Sequence, residues 1–295
     1  MKIELFGKRA LVTGASSGIG RALAKALARS NVWVAVSGRR KAALDSLADE
    51  IEKAGGTRPV VLPADLSKRG EAQLLGERAI EALGQVDLLV NNAGVGIGGS
   101  QVVVADDDAA RDMFETNYWS ALALTRALVP GMRARNLGAI VNVSSIGSVT
   151  PMPLAGHYSS SKAALSLATE TLRMELRETD LHVLHVLPGP VDTGMLAEFS
   201  AVPGADKVMA GMPKGDVDTL AKKIIRGLET RKRAFVYPTM LSVVRHLPTV
   251  AVRLAARASR AVDVNDTRKL MGGSSGDLLA IEARKNFDAA HPSKS

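Results

Sequence analysis

Residues 13–20 read Thr13-Gly-Ala-Ser-Ser-Gly-Ile-Gly20, a glycine-rich turn between a short apolar run and a helical pattern. Gly14 permits a tight turn, Gly18 lets the backbone approach a bound phosphate, and Gly20 allows close packing of helix on strand. The helix that follows offers unpaired N–H groups and the positive end of its dipole. An ordinary glycine-rich turn is the alternative, but the strand-turn-helix context favours a dinucleotide-binding turn.

Short β-branched runs alternate with helix-length segments along most of the chain. The predicted strands are Arg9–Thr13, Val32–Val36, Pro59–Leu62, Val86–Val90, Ala139–Val143, His182–Leu187 and Arg233–Tyr237. The predicted helices are Ile19–Ser30, Ala42–Ala54, Gly70–Leu83, Arg111–Arg135, Ser159–Glu178 and Val217–Thr230. Runs that are apolar on both faces are typical of parallel sheets covered by helices. The pattern predicts an α/β fold, a Rossmann-type doubly wound parallel sheet.

The predicted organisation is a single catalytic domain over residues 1–238, followed by a helical appendage over 239–295. Within the domain, Thr193–Gly215 is rich in Met, Gly, Ala and Pro and lacks clear periodicity, so we interpret it as a loop or short helices over a site. The segment from about Met271 is Gly/Ser-rich and then polar, which predicts a disordered end.

Composition excludes several classes of protein. The 295 residues contain no cysteine, so disulfides and thiolate chemistry are absent. No apolar run approaches the roughly 20 residues of a spanning helix. Lys8 and Arg9 interrupt the N-terminus before a signal-peptide core could form, so we expect a cytoplasmic protein. Aromatic residues are few, and Tyr118 and Trp119 lie far from the basic tail, so nucleic acid is not an expected partner.

The positive charge is concentrated in the appendage. Residues 1–230 hold 26 basic and 25 acidic side chains, whereas residues 231–295 hold 12 and 5. At helical spacing Leu241, Val244 and Leu247 gather on one face and the arginines on the other, and Pro248 predicts a kink or a break. Three alternatives explain this pattern: peripheral contact of residues 239–262 with an anionic membrane, a lid over the pocket, or a subunit interface.

The second predicted strand ends in Ser37-Gly-Arg-Arg40, where a dinucleotide fold meets the adenosine ribose. An acidic residue at this position would accept hydrogen bonds from a free 2′-hydroxyl. Arg39 and Arg40 instead suit a 2′-phosphate, which predicts NADP(H) rather than NAD. The alternative is two solvated arginines at the start of a helix.

Tyr158 and Lys162 stand four residues apart on a predicted helix, so their side chains share one face. A phenol with a pKa near 10 is a poor acid or base at neutral pH unless a cation stabilises the phenolate, and Lys162 can supply that cation. Ser144 and Ser145 follow a strand and therefore lie at the carboxyl edge of the sheet, where either hydroxyl could bind a substrate oxygen.

Taken together, these motifs resemble the short-chain dehydrogenase/reductase family over about residues 5–238. The matching stretches are Thr13-Gly-Ala-Ser-Ser-Gly-Ile-Gly20, Asp65-Leu66, Asn91-Asn-Ala-Gly94, Asn117, Val141-Asn-Val-Ser-Ser145, Tyr158-Ser-Ser-Ser-Lys162 and Pro188-Gly-Pro-Val-Asp-Thr193. The resemblance implies that Tyr158 is the acid/base and that Ser145 polarises the substrate oxygen, with Ser144 in support. It implies that Lys162 lowers the pKa of the tyrosine and holds the nicotinamide ribose, and that Asn117 anchors a water relay.

The resemblance also implies the cofactor-binding residues and an oligomer, a homodimer or homotetramer built through the helices around Arg111–Arg135 and Ser159–Glu178. The implied cofactor-binding set is Gly14, Ser16, Ser17, Gly18, Ile19, Gly20, Arg39, Arg40, Asp65, Leu66, Asn91, Ala93, Gly94, Tyr158, Lys162, Pro188, Gly189, Val191 and Thr193. Taken singly, Asp65 could be a helix cap, Asn91–Gly94 a strand-ending turn and Asn117 a buried helix residue.

The expected substrate is an apolar or lipid-like small molecule, since the walls of the site carry Met, Leu, Val and Phe and few charges. The predicted substrate residues are Ser145, Val95, Met152, Met195 and Phe199. No metal is expected. The predicted function is NADP-dependent interconversion of a carbonyl and a secondary alcohol. The alternatives are a 3-oxoacyl or steroid dehydrogenase proper, or a non-catalytic NADP-binding regulatory or scaffolding protein.

Overall fold

A computed structural model describes residues 3–96, 101–200 and 212–258. The strands are β1 (Arg9–Val12), β2 (Trp33–Gly38), β3 (Val60–Pro63), β4 (Leu88–Asn91), β5 (Ala139–Val143), β6 (His182–Pro188) and β7 (Ala234–Tyr237). The helices of the first half are α1 (Gly18–Arg29), α2 (Lys41–Lys53), α3 (Glu71–Leu83), α4 (Gln101–Val104), α5 (Asp108–Phe114) and α6 (Ser120–Ala134). Those of the second half are α7 (Gly156–Glu175), α8 (Gly194–Ser200), α9 (Val217–Glu229), α10 (Ser242–His246) and α11 (Pro248–Ala258).

The seven strands form one parallel sheet in the order β3-β2-β1-β4-β5-β6-β7. The order reverses between β1 and β4, which are hydrogen-bonded neighbours. In an open parallel sheet this reversal opens a crevice beyond the carboxyl ends of the strands, because successive connections leave toward opposite faces. The fold class expected from the sequence, a Rossmann-type doubly wound sheet, is confirmed.

Two apolar layers cover the sheet. One is built by α1, α2 and α9 against the side chains of β1, β2 and β6, around Leu23, Leu44 and Ile224. The other is built by α3 and α6 against the opposite face, around Leu75, Leu124 and Met132. β5 and β6 are buried along their whole length, as strands covered on both sides must be. The rigid sheet therefore fixes the positions of the loops at its carboxyl edge.

The predicted helix Arg111–Arg135 is divided in the structure. Helix α5 begins behind Asp107, whose carboxylate accepts a hydrogen bond from the Ala110 N–H. A π-turn, Glu115–Trp119, then interrupts the helix before α6 begins. Such a turn inserts an extra residue into the helical path and reorients side chains, often at functional sites. The polar residue at its centre is Asn117.

The segment after β6 leaves the sheet and returns to it at nearly the same point. Val191 and Gly215 form an isolated parallel bridge, in which Asp192 N–H donates to Gly215 O at 3.1 Å and Gly215 N–H donates to Pro190 O at 2.8 Å. Helix α8 follows Thr193, and residues 201–211 lie outside the described chain. The base of the predicted substrate loop is thus held by backbone hydrogen bonds.

The appendage begins with a 3₁₀ turn, Thr239–Leu241, and continues as α10 and α11, which are separated at Leu247 just before Pro248. A proline cannot donate the backbone hydrogen bond that would continue α10, which accounts for the break. Within the described residues no helix is long and apolar enough to cross a membrane. The predicted disordered end lies outside the described residues.

Candidate active site

The Thr13 hydroxyl joins the ends of β1 and β4. It donates to Val90 O at 3.1 Å and accepts from the N–H groups of Asn92 and Ala93, both at 3.0 Å. The Asn92 side chain donates in return to Thr13 O at 2.9 Å and to Gly14 O at 3.3 Å. The predicted glycine turn and the Asn91–Gly94 segment therefore form one rigid unit at the crevice.

The glycines of the turn are required by close contacts. A Cβ on Gly14 (φ +65°) would lie 2.8 Å from Ala93 Cα. A Cβ on Gly20 would lie 2.5 Å from Gly14 O and would overlap the Asn92 amide. At Gly18 (φ +55°) it would lie 3.1 Å from Thr193 Cγ2, so the loop after β6 meets the turn here. These residues leave a backbone-lined cradle at the N-terminus of α1, which suits a phosphate group.

Arg40 contacts the glycine turn directly. Its guanidinium donates to the hydroxyls of Ser16 and Ser17 at 3.2 and 2.9 Å, while Arg39 remains exposed beside it. Both arginines stand where β2 ends, on the same side of the crevice as the turn. Two cations therefore border the cradle at the predicted position.

Asp65 forms a local turn with Ser67, whose N–H and hydroxyl donate to Oδ1 at 3.2 and 2.9 Å. Burial opposes the ionised form, but these hydrogen bonds and the charge of Arg39 hold the pKa of the Asp65 carboxyl below its ordinary value. The next helix begins only at Glu71, so Asp65 is not a helix cap. The adjoining Leu66 is buried in the core layer of α3 and α6.

Tyr158 lies in the first turn of α7, and its hydroxyl forms a hydrogen bond with Ser145. Burial raises the pKa of the Tyr158 phenol above its ordinary value, and the bond with Ser145 opposes this shift. The lowering of this pKa by Lys162, which the resemblance implies, stays a prediction. In the structure desolvation dominates, so Tyr158 is a neutral phenol at physiological pH.

Lys162 lies one turn after Tyr158 and is only 3% exposed. Its ammonium donates to Val143 O, at the end of β5, at 3.2 Å. A Cβ on Gly94 would lie 3.0 Å from Lys162 Nζ, so the β4 loop passes directly over the ammonium. Burial lowers the pKa of Lys162 to about 8.

Asn117 is buried in the π-turn and clamps the β4 loop. Its Oδ1 accepts from Val95 N–H at 2.8 Å, and its Nδ2 donates to Val95 O at 2.9 Å and to Ser161 Oγ at 3.0 Å. Ser161 lies between Tyr158 and Lys162 on α7. Asn117 therefore connects helix α7 to the loop that carries Gly94.

Ser144 and Ser145 have different roles. The Ser145 hydroxyl faces Tyr158 and accepts from Gly147 N–H at 3.0 Å. The Ser144 hydroxyl points into α7, where it donates to Lys162 O at 2.9 Å and lies 2.7 Å from Ser166 Oγ. Of the two serines, Ser145 is the one placed to bind a substrate oxygen.

A second set of buried amides lies beneath the site. Asn91 donates to Asn142 Oδ1 at 2.8 Å, and Asn142 donates to Thr169 Oγ1 at 2.9 Å. This ladder joins β4, β5 and α7. The Asn91 Oδ1 is buried without a hydrogen-bond partner among the described residues.

The predicted substrate residues surround Tyr158 only in part. A Cβ on Gly96 would lie 3.9 Å from Tyr158 Cδ2 and 4.0 Å from Met195 Cγ, so Met195 approaches the phenol across the β4 loop. Met152 lies beside Gly147, next to Ser145. Val95 contributes the backbone bonds to Asn117. The Phe199 side chain lies outside the described part of the chain.

The segment after β6 closes the other side of the crevice. Gly189 N–H donates to Tyr237 O at 2.6 Å, and Thr193 Oγ1 donates to Val191 O at 3.2 Å. Pro188 ends β6, and Val191 is buried in the layer of α1 and α9, against which Ile19 also packs. Of this segment, Thr193 approaches the glycine turn, through its contact with Gly18.

Several residues in and behind the site were not predicted from the sequence: Ser161, Ser166, Asn142 and Asn92, and the hydrogen-bonded pair His185 and Glu170, which lies behind Ser166. Ser161 and Asn142 lie inside motifs, and their spacing gave no indication of their contacts. His185 and Glu170 stand in an apolar strand and on a helix, and a polar residue within a buried strand was the available signal. Among the described residues, no group of three or more acidic or histidine side chains could hold a metal ion.

Comparison with known proteins gives related sequences over most of the chain. A family model described as short chain dehydrogenase matches residues 8–203. The chain is 39% identical over 200 residues to a short chain dehydrogenase of Pseudocercospora fijiensis, covering 68% of this chain and 64%, less than two thirds, of that protein. It is 32% identical over 240 residues to 11-beta-hydroxysteroid dehydrogenase-like 2 of Arabidopsis thaliana, covering 80% of this chain and 75% of that protein.

Two solved structures share the fold. A short chain dehydrogenase/reductase from Burkholderia phymatum in complex with NAD superposes with a TM-score of 0.74 and 27% identity, covering 85% of this chain and 97% of that chain. L-sorbose reductase from Gluconobacter frateurii, complexed with NADPH and L-sorbose, has a TM-score of 0.71 and 28% identity, covering 80% and 97%.

Proposed function

Because the chain belongs to the short chain dehydrogenase family, we propose that it is an NADP-dependent oxidoreductase that interconverts a carbonyl and a secondary alcohol on an apolar substrate. The observation that carries the proposal is the convergence of Tyr158, Ser145 and Lys162 at the carboxyl edge of the sheet, with Asn117 behind them. Each of these polar groups is held by hydrogen bonds from different elements, as a preformed catalytic site requires.

The residues present fit a nicotinamide dinucleotide. The glycine cradle at the N-terminus of α1 suits the pyrophosphate. Arg39 and Arg40 border the cradle, and their guanidinium groups suit the 2′-phosphate of NADP(H). The two solved relatives hold NAD and NADPH respectively, so the preference for NADP rests on these two arginines.

The bound nicotinamide would supply or accept the hydride at the substrate carbon. Ser145 Oγ is placed to donate a hydrogen bond to the substrate oxygen, and the Tyr158 hydroxyl is placed to donate its proton to the same oxygen. The buried ammonium of Lys162 stabilises the phenolate that this transfer leaves, because opposite charges interact strongly in a site shielded from water.

The free site holds Tyr158 in the protonated form, which is the form that carbonyl reduction uses. The pKa of Tyr158 is raised by burial, so the phenol carries its proton at neutral pH. Reduction needs a proton donor at this position, whereas alcohol oxidation needs a base. The same residues perform both directions, but the free protein begins in the protonated form.

An apolar substrate is supported by Met195 and Met152 beside the Tyr158–Ser145 pair. A 3-oxoacyl or steroid dehydrogenase is the alternative within the family, favoured by the steroid dehydrogenase-like relative. We would measure NADPH oxidation with a panel of steroids, 3-oxoacyl thioesters, aldehydes and sugars. Turnover of apolar carbonyls is the expected result. No turnover of any carbonyl together with retained NADPH binding would favour a non-catalytic NADP-binding scaffold instead.

We also propose a cytoplasmic protein that makes peripheral contact with anionic membranes through the start of the appendage. Met240 and Val243 are 79% and 60% exposed, and Leu247 and Val250 are also exposed. No acidic residue occurs between Arg231 and Val262, while seven basic residues do. Exposed apolar side chains in a basic segment suit an anionic lipid surface.

Liposome sedimentation tests this contact. The double variant Met240→Ser/Val243→Ser is expected to bind vesicles containing phosphatidylserine more weakly than the unmodified protein. Leu74→Ser is the matched control, because Leu74 is 52% exposed on α3, away from the appendage. Equal sedimentation of the double variant and the unmodified protein would eliminate the membrane proposal.

Oligomerisation is a further part of the proposal. Trp119, Leu167 and Met174 are exposed apolar side chains on the π-turn and α7, the region that the resemblance assigns to the subunit interface. A second copy would bury them. Light scattering after size exclusion is expected to give a dimer or tetramer, and Leu167→Asp is expected to shift the mass toward the monomer.

A further inference from the structure

A continuous chain of polar side chains runs from the backbone of Lys162 toward the appendage. Ser144 Oγ donates to Lys162 O at 2.9 Å and lies 2.7 Å from Ser166 Oγ. Ser166 Oγ lies 3.1 Å from His185 Nε2, and His185 Nδ1 lies 3.1 Å from Glu170 Oε1. The other oxygen of Glu170 pairs with Arg173. The chain joins the end of β5, helix α7 and strand β6.

The number of donor hydrogens limits how many contacts of this hydrogen-bond chain can form at once. It has four contacts, and both ends, the Lys162 carbonyl and the Glu170 carboxylate, can only accept. The two serine hydroxyls and a neutral imidazole supply three hydrogens. If Ser144 donates to Lys162 O, then Ser166 must donate to Ser144 and His185 Nε2 must donate to Ser166. The contact with Glu170 is then completed only by one additional proton.

The surroundings place this additional proton on His185. Arg173 contacts Glu170, and Arg245 of α10 lies 3.8 Å from Glu170 Oε1, so two cations favour the carboxylate. The charged groups facing the ring are Glu170 and Arg173 from α7 and Arg245 from α10. Arg233, before β7, faces Arg173 in turn. From β5 the neighbour in register is the uncharged Asn142.

We propose that His185 is a positioning residue of the reaction. Through Ser166 and Ser144 it holds Lys162 against the end of β5 that carries Ser145, and it does so most firmly when the His185–Glu170 pair holds one proton. When that proton is absent, the four contacts share three hydrogens, and one contact is lost. In the neutral ring the hydrogen sits on Nδ1 and is donated to the Glu170 carboxylate, and Ser166 donates to Nε2, so the contact between Ser144 and Ser166 is the one left without a hydrogen. This contact lies next to Ser145 in sequence and at the backbone of Lys162.

The sign of the pH effect follows from the same count. Burial lowers the pKa of His185 despite the opposing effect of Glu170, so the ring is mostly neutral at neutral pH. Acidification adds the missing proton and completes the chain. For carbonyl reduction, kcat is expected to increase about two- to tenfold as His185 becomes protonated, the effect of one hydrogen bond at the site.

Two substitutions have opposite effects on the hydrogen-bond chain: one completes it and the other interrupts it. Glu170→Gln places an amide N–H beside His185 Nδ1 and leaves an oxygen for Arg173, so four hydrogens serve four contacts without any titrating proton. His185→Phe keeps a ring but removes both contacts. His182→Phe is the matched control, because His182 is a buried histidine of the same strand that lies outside the chain of contacts.

Steady-state reduction would be measured from about pH 4.5 to pH 8, a range that extends below the ordinary histidine pKa because burial lowers the pKa of His185. In the unmodified enzyme and in His182→Phe, kcat is expected to show a step, an increase on acidification. Glu170→Gln is expected to keep the kcat of the acidic form at every pH, and His185→Phe the kcat of the neutral form at every pH. A merely structural role would lower the melting temperature of His185→Phe without removing the step. Retention of the step in Glu170→Gln or in His185→Phe would overturn the proposal.

The kinetic readout rests on the proposed oxidoreductase function, so a second readout is independent of turnover. In protein labelled with ¹⁵N-histidine, the ring nitrogens of His185 are assigned by their loss in His185→Phe. We expect His185 to become protonated on acidification in the unmodified protein, and to remain neutral with Nε2 protonated in Glu170→Gln. If the expected titration is observed but no carbonyl is turned over, only the proposed oxidoreductase function is rejected. Identical titration of His185 in the unmodified protein and in Glu170→Gln would reject the proposed hydrogen-bond chain.

Discussion

Leu241 of the appendage lies directly against Gly189 of the segment after β6. A Cβ built on Gly189 would overlap Leu241 Cδ1 and would lie 3.5 Å from Tyr237 O. The resemblance predicts that Gly189 borders the nicotinamide, so the start of the appendage lies against a segment expected to flank the site. The other face of the same short segment carries the exposed Met240 and Val243. A lid and a membrane contact are therefore compatible uses of one segment.

Replacing Tyr158 tests the acid/base assignment. Tyr158→Phe removes the hydroxyl that is placed to donate a proton to the substrate oxygen. The activation free energy of turnover is therefore expected to increase by about 3–5 kcal/mol, and kcat to fall accordingly. NADPH affinity, measured by fluorescence titration, should persist. Tyr118→Phe, which alters a tyrosine in edge-to-face contact with Trp119, is the control and should retain turnover. Normal activity in Tyr158→Phe would reject the mechanism.

Lys162 is expected to reduce the stability of the fold below pH 8. Its pKa falls from 10.5 in the unfolded chain to about 8 in the folded protein, so between these values the unfolded chain binds more protons and stability rises with pH. Below pH 8 the full penalty applies, on the order of 3 kcal/mol.

Lys162→Met is therefore expected to abolish turnover while raising the melting temperature at pH 7. The gain over the unmodified protein should shrink as the pH increases toward 10. Differential scanning fluorimetry across this range measures it. The quantity to compare is the difference in melting temperature between Lys162→Met and the unmodified protein. A smaller difference at pH 7 than at pH 10 would contradict the expectation.

Charge reversal at the end of β2 tests the cofactor preference. Arg39→Asp removes a cation from the predicted 2′-phosphate site and offers an acceptor to a free ribose hydroxyl, so the Kd for NADPH is expected to increase about 10- to 100-fold while that for NADH changes little or falls. Arg69→Asp makes the same change at an exposed position beyond Asp65 and serves as the control. An unchanged Kd for NADPH in Arg39→Asp would show that the assignment is wrong.

The contact between Gly20 and the glycine turn predicts a steric effect. A methyl group on Gly20 would lie 2.5 Å from Gly14 O, which is rigid backbone, so Gly20→Ala is expected to cost about 1–3 kcal/mol of unfolding free energy and to weaken cofactor binding. Gly194→Ala is the comparison, because a Cβ there meets nothing within 4 Å and φ is not positive. Chemical denaturation of both variants measures the difference, and equal stability would refute the steric argument.

The sheet and the shared helix face of Tyr158 and Lys162 could be predicted from the sequence because each depends on local patterns. A parallel strand buried on both faces gives a short apolar run, and Tyr158 and Lys162 share a helix face through their spacing. The π-turn around Asn117 could not be predicted, because it is formed by its hydrogen bonds to Val95 and Ser161 and not by local propensity.

The contact between His185 and Glu170 illustrates the same limit. Residues 15 positions apart meet because the register of β6 against β5 and the packing of α7 bring them together. A fully buried strand shows no alternation of polar and apolar residues, so its sequence does not indicate which neighbour a histidine faces. The different orientations of Ser144 and Ser145 depend on the same packing.

The bridge between Val191 and Gly215 makes the intervening segment a separable cassette. Because the chain departs and re-enters at adjacent backbone positions, a replacement segment of another length needs only to match these two anchor points. The sheet, the glycine turn and the catalytic helix would be left in place by such an exchange. Grafting segments from related enzymes between Thr193 and Gly215 is therefore a practical route to altering substrate selectivity while the proton-transfer chemistry is conserved.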